Sequence, residues 1–76
     1  LPQREEAEKR VRELRGKLAE KEAYVGDFYF KRELYQSAAG RYSHLLDQYA
    51  DFGYNELALF RLAFSYERMG EYEKAE

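Results

Sequence analysis

An all-α fold of antiparallel helix pairs follows from three features of the 76-residue sequence. Apolar residues recur at helical spacing through three long stretches, and the only proline, Pro2, stands before the first of them. Turn-forming residues fall between those stretches. The apolar pattern of one stretch then returns 37 residues later, the mark of a repeating unit.

The first helix is predicted from Arg4 to Arg32. Pro2 suits a first turn, where its missing N–H would have no partner. Glu5 with Lys9, Glu6 with Arg10, Glu8 with Arg12 and Glu13 with Lys17 are opposite charges four apart, which marks a water-facing side. Val11, Leu14, Leu18, Val25, Phe28 and Tyr29 form an apolar stripe expected to be the buried side. A second helix, 35–49, follows from Tyr35, Ala38, Ala39, Tyr42, Leu45, Leu46 and Tyr49. Gly53 and its polar neighbours reverse the chain, and Asn55 suits the N-cap of a third helix over 54–69. That helix carries Leu59, Leu62, Ala63, Tyr66 and Met69 on one face and ends at Gly70. The segment 71–76 begins a fourth helical pattern through Tyr72 and Ala75.

Composition narrows the function. Aromatic residues make up 17% of the chain, too many for a disordered segment. Charged residues reach 37% with a net charge of only −2, so nucleic acid is not an expected partner. No cysteine is present, and no apolar run approaches the roughly 20 residues of a membrane span. The chain begins without methionine and stops at Glu76 within a helical pattern, which suggests a piece of a longer protein.

Val25, Gly26, Tyr29, Tyr35 and Ala38 are echoed in order by Leu62, Ala63, Tyr66, Tyr72 and Ala75. This pattern resembles the tetratricopeptide repeat, whose small residues let two helices approach while aromatics fill the space beside them. Gly26 and Ala38 are therefore expected at the closest approach of the first two helices. Glu22 stands where tryptophan is usual, Glu33 where the inter-helix glycine is usual and Ala50 where proline often closes the repeat. The run from Leu18 to Arg32, with Tyr35, Ala38, Ala39, Arg41, Tyr54, Glu56, Leu57, Ala58, Leu59, Leu62, Tyr66 and Gly70, resembles the BamD family of outer-membrane β-barrel assembly lipoproteins. The resemblance implies a periplasmic scaffold at the outer membrane, held by a lipid outside this segment. It would bind partner subunits of the assembly complex or unfolded outer-membrane protein segments. Another periplasmic cell-envelope tetratricopeptide protein would look similar, and a self-associating helical module is the alternative from a different class.

Catalysis is not expected. His44, the only histidine, has neither a cysteine nor a carboxylate at ligand spacing, so no metal or cofactor is predicted. Lys31 and Arg32 suit a helix C-terminus. The heptad spacing of Val11, Leu14, Leu18, Val25 and Phe28 would also suit a coiled coil, with Lys21 interrupting it. Phe60 and Phe64 lie off the third helix's stripe, available either to bind a partner or to pack on the preceding helix pair. By analogy with the tetratricopeptide groove, a partner site is predicted along Ala23, Asp27, Phe30 and Lys31 on the first helix and Phe60, Phe64, Glu67 and Arg68 on the third. An uncovered face at Leu62, Tyr66 and Met69 would further favour a homodimer.

Overall fold

With no proline beyond its first turn, the N-terminal segment forms one 30-residue helix, α1 (Pro2–Lys31). The computed structural model describes residues 2–75, with side chains described as far as Glu71. Two further helices follow, α2 (Tyr35–Gln48) and α3 (Asn55–Ala75), and there is no strand among the described residues. The packing is that of helical hairpins consistent with tetratricopeptide-like repeats. Helix α2 packs extensively on both α1 and α3, which touch each other at few points.

The turn after α1 closes with paired backbone bonds from the Leu34 N–H to the Tyr29 carbonyl and from the Glu33 N–H to the Phe30 carbonyl, both 3.0 Å. This double closure needs a left-handed residue at its centre. Glu33 takes that role at φ 61°, in the position where a glycine is usual. A left-handed non-glycine residue costs about 1–2 kcal/mol, whereas glycine adds roughly 0.5–1 kcal/mol of unfolded-state entropy. Glu33→Gly is therefore expected to stabilise the chain by about 0.5–1 kcal/mol, measured as a higher urea midpoint; a lower midpoint would contradict it.

The core is built from small residues and tyrosines. Ala19, Ala23 and Gly26 are the buried residues of α1, facing Tyr35, Ala38, Ala39, Tyr42 and Leu45 of α2. A Cβ added to Gly26 would lie 2.9 Å from Cε1 of Tyr42, so the glycine permits this approach. Ala58 and Ser65 are fully buried among the described side chains of α3, and the Ser65 hydroxyl donates to the Arg61 carbonyl at 2.7 Å.

The buried face of α2 is the expected one, but those of α1 and α3 differ. Val11, Leu14, Leu18 and Phe28 of the α1 stripe are exposed, and Val25 and Tyr29 are half-buried. On α3 the expected stripe splits: Leu62 and Met69 are half-buried, while Leu59, Ala63 and Tyr66 are exposed. The cause is that helices of a repeat array have neighbours on two sides. Large apolar residues mark one side, but the small ones permit the closest approach and meet α2.

Other boundaries differ too. Helix α3 runs through Gly70 to Ala75 instead of ending at Met69. A glycine inside a helix costs only about 1 kcal/mol, less than nucleating a separate short helix. Glu76 lies outside the described residues, as does the packing of the Tyr72 and Ala75 side chains. The first bond of α3 runs from the Ala58 N–H to the Tyr54 carbonyl, so Tyr54 and not Asn55 occupies the N-cap position.

Of the charge pairs expected along α1, Glu6 with Arg10 forms at 3.8 Å, and Arg4 pairs with Glu8 at 3.2 Å. Arg12 turns instead to Asp51 at 3.5 Å and covers the Phe52 ring, so it clips the second loop onto α1. Glu22 accepts from Arg41 at 3.3 Å and lies 3.6 Å from His44 Nδ1, tying α1 to α2 where a tryptophan is usual. Among the described residues no group of three or more His, Cys, Asp or Glu side chains is placed to hold a metal ion.

Candidate protein-binding groove

Three helices converge on Tyr42. Its ring is fully buried, and its hydroxyl donates to Asp27 Oδ1 of α1 at 2.6 Å. From α3, Arg61 donates to the same hydroxyl at 2.8 Å and to Asp27 Oδ1. The phenol is thus donor and acceptor at once, and the Asp27–Arg61 pair ties α1 directly to α3. Arg61 also lies over the rings of Phe30 and Tyr42.

Burial, then the hydrogen bond to the Asp27 carboxylate, raises the Tyr42 pKa to about 12 from the ordinary value of 10.0. A raised folded-state pKa stabilises the protein fully below the unfolded value, and this contribution is lost as pH climbs through the folded one. Wild-type stability should therefore fall relative to Tyr42→Phe between about pH 10 and 12. The loss is expected at roughly 2 kcal/mol, below the full linkage value because Asp27 and Arg61 are partly solvated. The absorbance difference between the wild type and Tyr42→Phe should show the Tyr42 phenol ionising near pH 12, and ionisation of that phenol near pH 10 would contradict this.

Apart from Asp27, which belongs to the Tyr42 network, the predicted groove residues divide into three groups. Phe30 and Phe64 meet with ring centroids 5.4 Å apart, and both contact Tyr35, at 5.8 and 5.9 Å. They form a half-buried aromatic floor between α1 and α3, with Arg68 over the Phe64 ring. Phe60, Lys31 and Glu67 are exposed beside it, and Arg68 pairs with Glu71 at 2.9 Å. Ala23 does not belong to the surface: it is buried in the core cluster, because a small side chain at that position lets α2 approach.

Two residues near the candidate groove were not predicted as part of it. Arg61 provides the α3 end of the Tyr42 network, and Tyr24 is exposed on α1 next to Asp27 and Lys31. The two stand 37 residues apart, so extending the repeat by one position would have paired them.

With this geometry in hand, the family model for outer membrane lipoproteins, YfiO, matches residues 3–76. Among curated proteins and solved structures no significant match is found. Since the match takes in all but the first two residues and the helices pack as the repeat pattern requires, the chain belongs to the YfiO, or BamD-like, family of outer membrane lipoproteins.

Proposed function

We propose that the chain is a scaffold segment that binds rather than catalyses. It holds a partner protein in the groove between α1 and α3, on the periplasmic side of the outer membrane. The partners would be subunits of the outer-membrane assembly complex or unfolded segments of its substrates. The observation that carries this reading is Phe60, a ring 69% exposed one helical turn before Phe64. Large rings left in water next to half-buried rings supply the kind of anchor on which interfaces depend. Lys31, Glu67 and Arg68 around it form a charged rim that would set register and discriminate partners.

Because Phe64 also packs on Phe30 and Tyr35, truncating it would mix binding with stability. Phe60→Ala separates the two. In the full-length protein this variant should keep its helix content and weaken capture of its complex subunits about tenfold, equivalent to about 1.4 kcal/mol. Normal capture by a folded variant would remove Phe60 from the site.

Exposed Leu59 and Tyr66 on α3 favour a second reading, association of two copies through that face. Light scattering should then show dimers at high concentration that Tyr66→Glu dissolves, and a monomer throughout would contradict it.

A further inference from the structure

Helices α1 and α3 touch each other at few points, and α2 carries most of the packing between them. Two of the direct ties are successive. Asp27 stands three residues before Phe30 on α1, and Arg61 three residues before Phe64 on α3, so the Asp27–Arg61 ion pair lies one helical turn from the Phe30–Phe64 ring contact on both helices. A ring contact alone is weakly directional and lets one helix slide or roll against the other. A charge-assisted hydrogen bond fixes both distance and angle. This one is anchored at a third point, because the Tyr42 hydroxyl of α2 donates to Asp27 and accepts from Arg61. The Asp27 and Arg61 side chains are 34% and 23% exposed, too sheltered to count as an ordinary surface pair.

We propose that this ion pair is a clasp that sets the width of the α1–α3 groove and makes Arg61 a positioning residue for partner binding, a role that presupposes the groove as the partner site. Arg61 sits directly after Phe60 and one turn before Phe64, so the roll of α3 that it fixes decides where Phe60 points. Its own charge is satisfied by Asp27, and its guanidinium lies over the Phe30 ring, 5.0 Å from the centroid. Arg61 therefore acts through Phe30, Phe60 and Phe64 and needs no contact with the partner. Without the pair, α3 keeps its packing on α2 but is free to tilt on the ring contact. The partner must then select one width among several, which weakens capture.

Spin labels on Lys31→Cys and Glu67→Cys, exposed on the two walls, report the groove width in the full-length protein by double electron–electron resonance. Arg61→Met keeps an apolar stem and removes the charge. It should broaden the label-to-label distance distribution with helix content unchanged, and in unlabelled protein weaken capture of the assembly-complex subunits about fivefold, less than Phe60→Ala because both rings remain. Arg61→Lys, which restores a cation opposite Asp27, should recover part of both. Tyr42→Phe loses stability but keeps the pair, and should leave the distribution as in the wild type. A distribution unchanged in Arg61→Met, or broadened as much by Tyr42→Phe, would overturn the clasp. Should Arg61→Met lose helix content, Asp27→Asn, which keeps an oxygen acceptor and removes the charge, carries the same expectations. A broadened distribution with normal capture overturns the positioning role when Phe60→Ala weakens capture. If Phe60→Ala also captures normally, the groove is the part refuted, and the broadened distribution still supports the clasp.

Discussion

Gly26→Leu should lower the stability of this chain by about 1–2 kcal/mol. A leucine at that position gains roughly 0.8 kcal/mol of helix propensity over glycine, which works against the effect. The packing term is larger. Even the first carbon of the new side chain would press on the Tyr42 ring at 2.9 Å. Overpacking typically costs 1–3 kcal/mol, and this ring is poorly placed to yield, being fully buried and held by Asp27 and Arg61. A chain of this size has a total stability of roughly 4–11 kcal/mol, so the loss is a large fraction of it. Equilibrium urea unfolding measures it directly, and an unchanged midpoint would mean that Gly26 does not set the α1–α2 distance.

Tyr42→Ala should cost more, about 3–5 kcal/mol, since it empties the centre of the core. It also removes the hydroxyl that links Asp27 and Arg61. Tyr42→Phe keeps the ring and should cost only about 1–2 kcal/mol. The two sites are in contact and will not be additive. In the Tyr42→Ala background the Gly26→Leu side chain enters the vacated space, so the double variant should be at least about 1 kcal/mol more stable than the sum of the singles indicates. Strict additivity would show that the glycine and the ring do not meet.

Helix content and the three-helix order were legible because apolar periodicity, a lone early proline and the glycine at the second turn all agree. Gly26 and Ala38 were legible as a close approach because the repeat places small residues there. The inward face of α2, with Tyr35, Ala38, Ala39, Tyr42 and Leu45, was legible too, but which faces of α1 and α3 turn inward was not. Val11, Leu14 and Leu18 carry the stronger apolar signal, yet the face with Ala19, Ala23 and Gly26 meets α2, because short side chains permit the nearer backbone contact. Helical phase alone put Phe60, Lys31 and Glu67 on the exposed surface, where the structure has them, but did not show that Phe64 packs on Phe30 and Tyr35. Asp27 could also be placed, but not its role: its partners Tyr42 and Arg61 lie 15 and 34 residues away, and no local pattern encodes their meeting. Ala23 was misplaced because it lies on the boundary between the groove phase and the core phase of α1.

The groove is tested most directly by a photo-crosslinking residue placed at single exposed positions of the full-length lipoprotein in intact cells. With the label at Phe60 or Glu67, crosslinks to subunits of the outer-membrane assembly complex are expected, while the same label at Asp47, exposed on α2, should give none. Labels at Phe60 and Glu67 that stay uncrosslinked, or that crosslink no more than the one at Asp47, would contradict a partner seated between α1 and α3.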